Sequence, residues 1–221
     1  STVEKTALAD AEVEYQDHTS NTIFVAFKIK ESSKEYLKDS NVIIWTTTPW
    51  TIPANRALAF NSGIEYALVE ISDLENFKDK KIIVATNLLD SIVKSCDIEK
   101  FKILKTFSGS EFKGTICKHP FETLGYNFDI PMLDARFVTL EQGTGIVHCA
   151  PSHGPDDFNL CLKHNIPSKY TIDNAGYYTE EIPFFTKTHV FKADPIVIDK
   201  LKELKKLLKN DKLQHSYPHS W

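Results

Sequence analysis

Cysteine is sparse and scattered in this chain: Cys96, Cys117, Cys149 and Cys161 form no CxxC pair and no dense spacing over 221 residues. That spacing argues against a disulfide framework and a structural zinc site, and it fits a reducing, cytoplasmic setting. Long apolar runs are missing as well, so no membrane span is expected. The start at Ser1 has no basic-then-apolar signal segment. Neither sign of charge dominates, with a formal net charge of -4, so composition neither points to a nucleic acid nor excludes one. Familiar catalytic signatures are absent too. There is no G-x-S-x-G elbow, and Gly143-Thr144-Gly145 lacks both the G-x-G-x-x-G continuation and the P-loop lysine. His148 and His153 are not spaced as HExxH, and His148-Cys149 is not continued by the H-x-E and P-C-x-x-C of zinc deaminases. No metal ligands are assigned, and triad chemistry and P-loop hydrolysis are disfavoured.

What remains is ordinary for one globular domain, 42% hydrophobic and 25% charged, with no internal repeat. Strand-like runs recur at Val13-Glu14-Tyr15, Ile23 to Ile29, Val42 to Trp45, Tyr66 to Val69, Lys81 to Ala85 and Lys102 to Lys105. A short helix is expected over Asn87 to Cys96, where Leu88, Leu89, Ile92 and Val93 fall at helical spacing. Further strands are expected at Phe137 to Leu140 and Ile146 to His148, whereas 107 to 131 has no clear period. The fold class is therefore mainly β with flanking helices (α+β), arranged as a barrel or sandwich. After Gly154-Pro155, the pair Asp156-Asp157 reads as an acidic helix start, followed by Phe158, Cys161 and Leu162 as its apolar face. An amphipathic helix over about 195 to 210 opens at Pro195 and places Val197, Leu201, Leu204 and Leu208 on one face. Its lysines, at 200, 202, 205, 206 and 209, read as a solvated face or as a nucleic-acid patch. Asp199 and Glu203 favour the former.

Two stretches are dense in polar groups. Trp45-Thr46-Thr47-Thr48-Pro49-Trp50-Thr51-Ile52-Pro53-Ala54-Asn55 places hydroxyls and an amide where a strand ends at prolines that fix φ and remove donors. Such a turn can grip a sugar, a carboxyl group or a water without charge. The second stretch, Gly143 to Phe158, sets His148 at the end of a strand and Asp157 in the first turn of a helix. Each has a structural reading, His148 as a satisfied core histidine and Asp157 as a cap or dipole partner, and a functional one in which both face a shared pocket.

Together, WTTTPWTIPAN at 45 to 55, GTGIVHCAPSHGPDDF at 143 to 158 and QHSYPHSW at 214 to 221 resemble the inserted editing (CP1) domain of a bacterial-type isoleucyl-tRNA synthetase, a class I aminoacyl-tRNA synthetase. The resemblance covers essentially the whole chain, and TTTPWT with GxVHxAPxHG points to the isoleucyl branch rather than the valyl and leucyl ones. It implies a β-barrel-like single domain over 1 to 221, a piece of a larger synthetase. The HIGH and KMSKS signatures of aminoacylation are absent from the chain. By resemblance, Asp157 pairs with the α-ammonium of an aminoacyl ester, and His148 is the wall that admits valine and excludes isoleucine. Thr46, Thr47, Thr48, Thr51 and Asn55 line the other side, contacting ester, ribose and adenine and placing the attacking water.

The implied activity is aminoacyl-ester hydrolysis, proofreading Val-tRNA(Ile), with valyl-adenylate a further substrate, while sparing Ile-tRNA(Ile). The competing readings are a catalytically silent tRNA-docking module of the same synthetase and a free-standing hydrolase of small esters. No cofactor is implied for this chain, since ATP and Mg belong to the full-length synthetase. The implied partners are the valine-bearing 3′ end of tRNA(Ile) and the rest of the synthetase chain, in a cytoplasmic monomer with no membrane contact. The chain departs from the family pattern at Cys149, at Ser152 and at Phe158, where a ring kept without the hydroxyl suggests packing.

Overall fold

The computed structural model describes residues 14–219, and side chains over 20–213. Val13, Ser220, Trp221 and the side chains of the 214 to 219 motif therefore lie outside the described residues. Ten strands form: β1 (Glu14–Glu31), β2 (Asn41–Thr46), β3 (Ala57–Phe60), β4 (Glu65–Ile71), β5 (Lys81–Ala85), β6 (Phe101–Ser108), β7 (Ile116–Lys118), β8 (Asp129–Asp134), β9 (Val147–Cys149) and β10 (Leu207–His219). Among the described residues three α-helices accompany them, α1 (Leu89–Ser95), α2 (Pro155–Lys163) and α3 (Val190–Glu203), besides short 3-10 helices.

The strands run as one path, β6-β4-β5-β2-β1-β7-β8-β3-β9, with β10 paired to β1. The mainly β expectation holds, but the path does not close into a barrel: β6 and β9 are its two ends, and no ladder joins them. The ends suit this role. β9 is three residues long, and β6 exposes every side chain except Phe107.

The long strand β1 explains the layering. Ile23, Val25, Phe27 and Ile29 enter the larger core, while Ala26, between them, enters a second core on the opposite face. Successive side chains on a strand point to opposite faces, so a sheet covered on both sides needs near-continuous apolar runs. β5 shows the same division, with Ile83 and Ala85 in one core and Ile82 and Val84 in the other, beside Leu89 and Ile92 of α1.

Three expectations need correction. Residues 137 to 140 form turns and bends rather than a strand. The C-terminal helix starts at Val190, before Pro195, because the imidazole of His189 caps it by accepting the Phe191 N–H at 3.1 Å. It ends at Glu203, and Lys205 turns left-handed (φ 58°), sending Leu208 into β10. The apolar face of α2 also differs, since Leu160 and Cys161 are buried whereas Phe158 and Leu162 are exposed. The five lysines around α3 are half-buried rather than a fully solvated face, and three of them are paired. Lys200 meets Glu203 at 2.8 Å, Lys209 meets Asp97 at 2.6 Å, and Lys205 donates to the Glu75 carbonyl.

The β3–β9 ladder positions the site. Leu58 lies opposite His148 and Ala57 opposite Cys149, so the turn just before β3 is held beside the end of β9. The glycine turn before β9 is fastened as well. Thr144 Oγ1 donates to the Ile43 carbonyl at 2.6 Å, and Tyr66 Oη donates to the Gly145 carbonyl at 2.6 Å. Gly145 has φ +84°, and a Cβ there would lie 2.6 Å from the Ala85 Cβ, so both conformation and space require glycine.

Candidate active site

Thr46 ends β2, and residues Pro49–Ala54 form a 3-10 helix, so the threonines sit where strand pairing stops and a proline-stiffened turn begins. Their hydroxyls form a chain. Thr46 Oγ1 accepts the Thr48 N–H at 3.1 Å and lies 3.1 Å from Thr48 Oγ1, which in turn lies 3.3 Å from Thr51 Oγ1. Thr51 Oγ1 donates to the Thr48 carbonyl at 2.9 Å and stands 2.7 Å from His148 Nε2. On the other side of the ring, Asn55 Nδ2 is 2.8 Å from His148 Nδ1 and donates to the Ala57 carbonyl at 3.0 Å.

This pattern assigns the tautomer. An amide nitrogen only donates, so Nδ1 accepts from Asn55 and the ring proton sits on Nε2, where it is given to Thr51. Thr51 has already committed its own hydrogen to the Thr48 carbonyl. The ring is neutral: burial, aided by nearby His153, pushes the His148 pKa down to about 3. With both nitrogens engaged, His148 has no free lone pair for proton abstraction and is held as a fixed, uncharged wall.

Asp157 occupies the third position of α2, where the helix dipole favours an anion. Its Oδ2 accepts the Ala150 N–H at 2.9 Å, tying the helix start to the residue two beyond His148. Burial raises its pKa above the usual carboxylate value, with the Ala150 N–H opposing the shift. Of the sequence-nominated residues, Thr46, Thr48, Thr51, Asn55 and His148 thus form one hydrogen-bonded cluster. Asp157 and Thr47 make no hydrogen bond to it. Thr47 is half-buried, and its hydroxyl has no partner among the described residues.

Four side chains that spacing did not nominate hold the turn. Asp194 Oδ1 of α3 accepts the Trp50 N–H at 3.1 Å, and Tyr178 Oη donates to the Trp50 carbonyl. His119 Nε2 lies 3.2 Å from the Ile52 carbonyl while its Nδ1 accepts the Phe121 N–H at 3.0 Å, which fixes the same neutral tautomer. Burial pushes the His119 pKa down to about 3. His153 packs edge-on to Trp50, ring centroids 5.2 Å apart, with Nε2 3.1 Å from Thr171 Oγ1. These partners come from distant stretches, so no local spacing could reveal them. Asp194 also falls one residue before the helix expected at 195. At the departures from the family pattern, Cys149 is fully buried, Ser152 Oγ lies 3.1 Å from Thr171 Oγ1, and Phe158 is 38% exposed, which overturns the packing expected of its ring. Among the described residues no group of three histidine, cysteine or acidic side chains could hold a metal ion, and no helix is long and apolar enough to cross a membrane.

The family profile described as "Leucyl-tRNA synthetase, editing domain" matches residues 20–207. Curated relatives include an isoleucine–tRNA ligase of Pelagibacter ubique (strain HTCC1062), 64% identical over 221 residues, covering 100% of this chain and 24% of the relative. An isoleucine–tRNA ligase of Gluconobacter oxydans (strain 621H) is 42% identical over 238 residues, covering 100% of this chain and 25% of the relative. The chain thus spans about a quarter of the length of these relatives. Among solved structures, one titled "The crystal structure of GlLeuRS-CP1" matches with TM-score 0.64 at 15% identity, covering 86% of this chain and 98% of that one, which shows the fold alone. With the profile spanning most of the chain and isoleucine–tRNA ligases aligning along all of it, the chain belongs to the family of aminoacyl-tRNA synthetase editing domains.

Proposed function

We propose that this chain is the proofreading module of an isoleucyl-tRNA synthetase and hydrolyses the ester of Val-tRNA(Ile) while sparing Ile-tRNA(Ile). The observation that carries the reading is the His148 lock: a neutral ring held on both nitrogens, by Thr51 at 2.7 Å and Asn55 at 2.8 Å. A synthetic pocket that must reject a side chain one methylene smaller gains only about 1–3 kcal/mol of discrimination, so a second site that excludes the larger side chain by shape is the physical remedy. Such exclusion needs a wall that cannot rotate away, and the lock supplies one.

In this reading Asp157 anchors the substrate's α-ammonium through a charge-assisted contact that valine and isoleucine share equally. Discrimination then falls to His148. No residue of the cluster offers a free base, so hydrolysis rests on orientation of the water and on hydrogen bonds to the developing oxyanion, with a vicinal ribose hydroxyl as a substrate-borne aid. Thr47, whose hydroxyl is uncommitted, is the threonine assigned to the water or ester. Thr46, Thr48 and Thr51 shape the wall. Valyl-adenylate fits the same pocket chemistry, and the partners are the 3′ end of tRNA(Ile) and the remainder of the synthetase.

The test is a deacylation assay with Val-tRNA(Ile) and Ile-tRNA(Ile) on the protein and its Asp157→Ala and His148→Ala variants. Hydrolysis of the valyl ester only, lost with Asp157→Ala, supports the reading. Hydrolysis of neither ester by the unaltered protein would instead make it a docking module without catalysis.

A further inference from the structure

Of the 26 basic residues in this acidic chain only two, Arg56 and Arg136, are arginines. Arg56 follows Asn55, the residue that holds His148, and its backbone N–H donates to the Cys149 carbonyl at 2.9 Å, one residue past that histidine. Asn55 turns to the lock. Arg56 lines a separate cavity of about 180 Å³, together with Pro53 and Ala54 from the threonine turn and Pro151 and Ser152 from the chain after His148.

The arginine is unpaired there. Its guanidinium carbon stands 4.7 Å over the ring of Phe128, and its Nε is buried with no hydrogen-bond partner. Among the described residues no carboxylate lies within ion-pair distance of it. A buried donor on a permanent cation is costly without an acceptor, and a planar guanidinium stacked on an aromatic ring is a preferred receiver of a phosphate. Lys169 lines the same cavity, half exposed, but its charge is offset by Glu181, which also lines it 3.5 Å away, so Arg56 is the uncompensated cation of the cavity. Phe128, 36% exposed, supplies an aromatic face on which a nucleobase can stack, beside the buried ring of Tyr126.

We propose that Arg56 and Phe128 form a subsite for the single-stranded acceptor end, in which the guanidinium takes the phosphodiester just before the terminal adenosine and the ring faces the neighbouring base. The inference rests on the proofreading reading, since it places part of that substrate. It also accounts for how a domain of net charge -4 can hold an anionic strand: one buried-edge arginine does what a basic surface does elsewhere.

Two non-hydrolysable probes test it: an adenosine carrying valine through a 3′ amide, and the cytidylyl-cytidylyl-adenosine trinucleotide carrying the same amide. Their affinities are measured on the protein and on the variants Arg56→Ala, Arg56→Lys and Phe128→Leu, with thermal melts as a control for folding. Arg56→Ala is expected to weaken the trinucleotide about tenfold, to leave the adenosine probe within about twofold, and to flatten the log–log salt slope for the trinucleotide by about 0.7. Arg56→Lys, which keeps the charge without the fork, is expected to lose less. Equal loss for both probes, or no loss for the trinucleotide in a folded variant, would overturn the subsite. If Arg56→Ala does not fold, the same comparison of probes on Arg56→Lys and Phe128→Leu decides. Failure of the unaltered protein to bind the adenosine probe would count against the proofreading reading instead, because that probe never reaches Arg56.

Discussion

The two halves of the candidate site are held in different ways. The threonine turn is fastened from afar: its backbone is gripped by Asp194, Tyr178 and His119, and its hydroxyls run into His148, 97 residues beyond Thr51. The segment carrying Asp157 is fastened locally, by one bond to Ala150 seven residues earlier and by the start of its own helix. The difference suits the tasks proposed for them. A steric wall must keep its shape to a fraction of an ångström, which demands many independent restraints. A charge anchor acts over a longer range and tolerates a simpler mount.

The largest expected effect lies on the simply mounted side. Asp157→Ala removes a charged partner worth roughly 1.5–3 kcal/mol, so valyl-ester hydrolysis should fall by about 10- to 100-fold, measured as single-turnover deacylation. A loss below twofold would break the comparison by removing the anchor. On the wall side, His148→Ala is expected to leave valyl hydrolysis substantial while raising attack on Ile-tRNA(Ile), so the ratio of the two rates should drop by about tenfold, the equivalent of one methylene. Unchanged discrimination would show that the gate lies elsewhere.

The distant mounts come next. Asp194→Ala orphans the Trp50 N–H and should cost about 1–3 kcal/mol in denaturant unfolding, with discrimination loosened more than overall rate. Asp194→Asn, which keeps the acceptor, should restore both. If the alanine and asparagine variants behave alike, the contact does not position the turn.

The pH response follows from the two locked rings. Both His148 and His119 are held at about 3, below the roughly 6.5 of an unfolded histidine. The unfolded chain therefore binds more protons in that interval. The stability from keeping these rings neutral is fully present above about pH 6.5 and declines as pH falls toward 3. The raised carboxyls of Asp157 and Asp194 act the other way, in the range just above the ordinary carboxylate pKa. Thermal melts from neutral to acid pH should show falling stability, and His119→Asn should flatten the fall. The smallest effect separates the hydroxyls: Thr47→Ala should slow hydrolysis with little change in melting, whereas Thr46→Ala should lower melting because the Thr48 N–H loses its acceptor.

Much of the strand content was legible because it rests on short-range alternation. Ile23 to Ile29, Val42 to Trp45 and Lys81 to Ala85 all lie in strands, and residues 86 to 95 are helical. Local pattern misleads where it competes with something remote or with a cap. Phe137 to Leu140 has the composition of a strand but finds no partner to pair with. His189, not Pro195, starts the last helix.

The chain's own order of residues was enough to set the mainly β class, the proline-stiffened threonine turn and the Asp157 helix start, because each depends on neighbours within a few positions. It also carried the motifs by which the family is known. Only the tertiary structure decided that the strand path stays open, that His148 is clasped by Thr51 and Asn55, that Thr47 keeps a free hydroxyl, and that Arg56 faces a second cavity. Those outcomes depend on which distant segments the β3–β9 ladder and the packing of α3 bring within hydrogen-bonding distance, and no spacing along the chain encodes a distance across it.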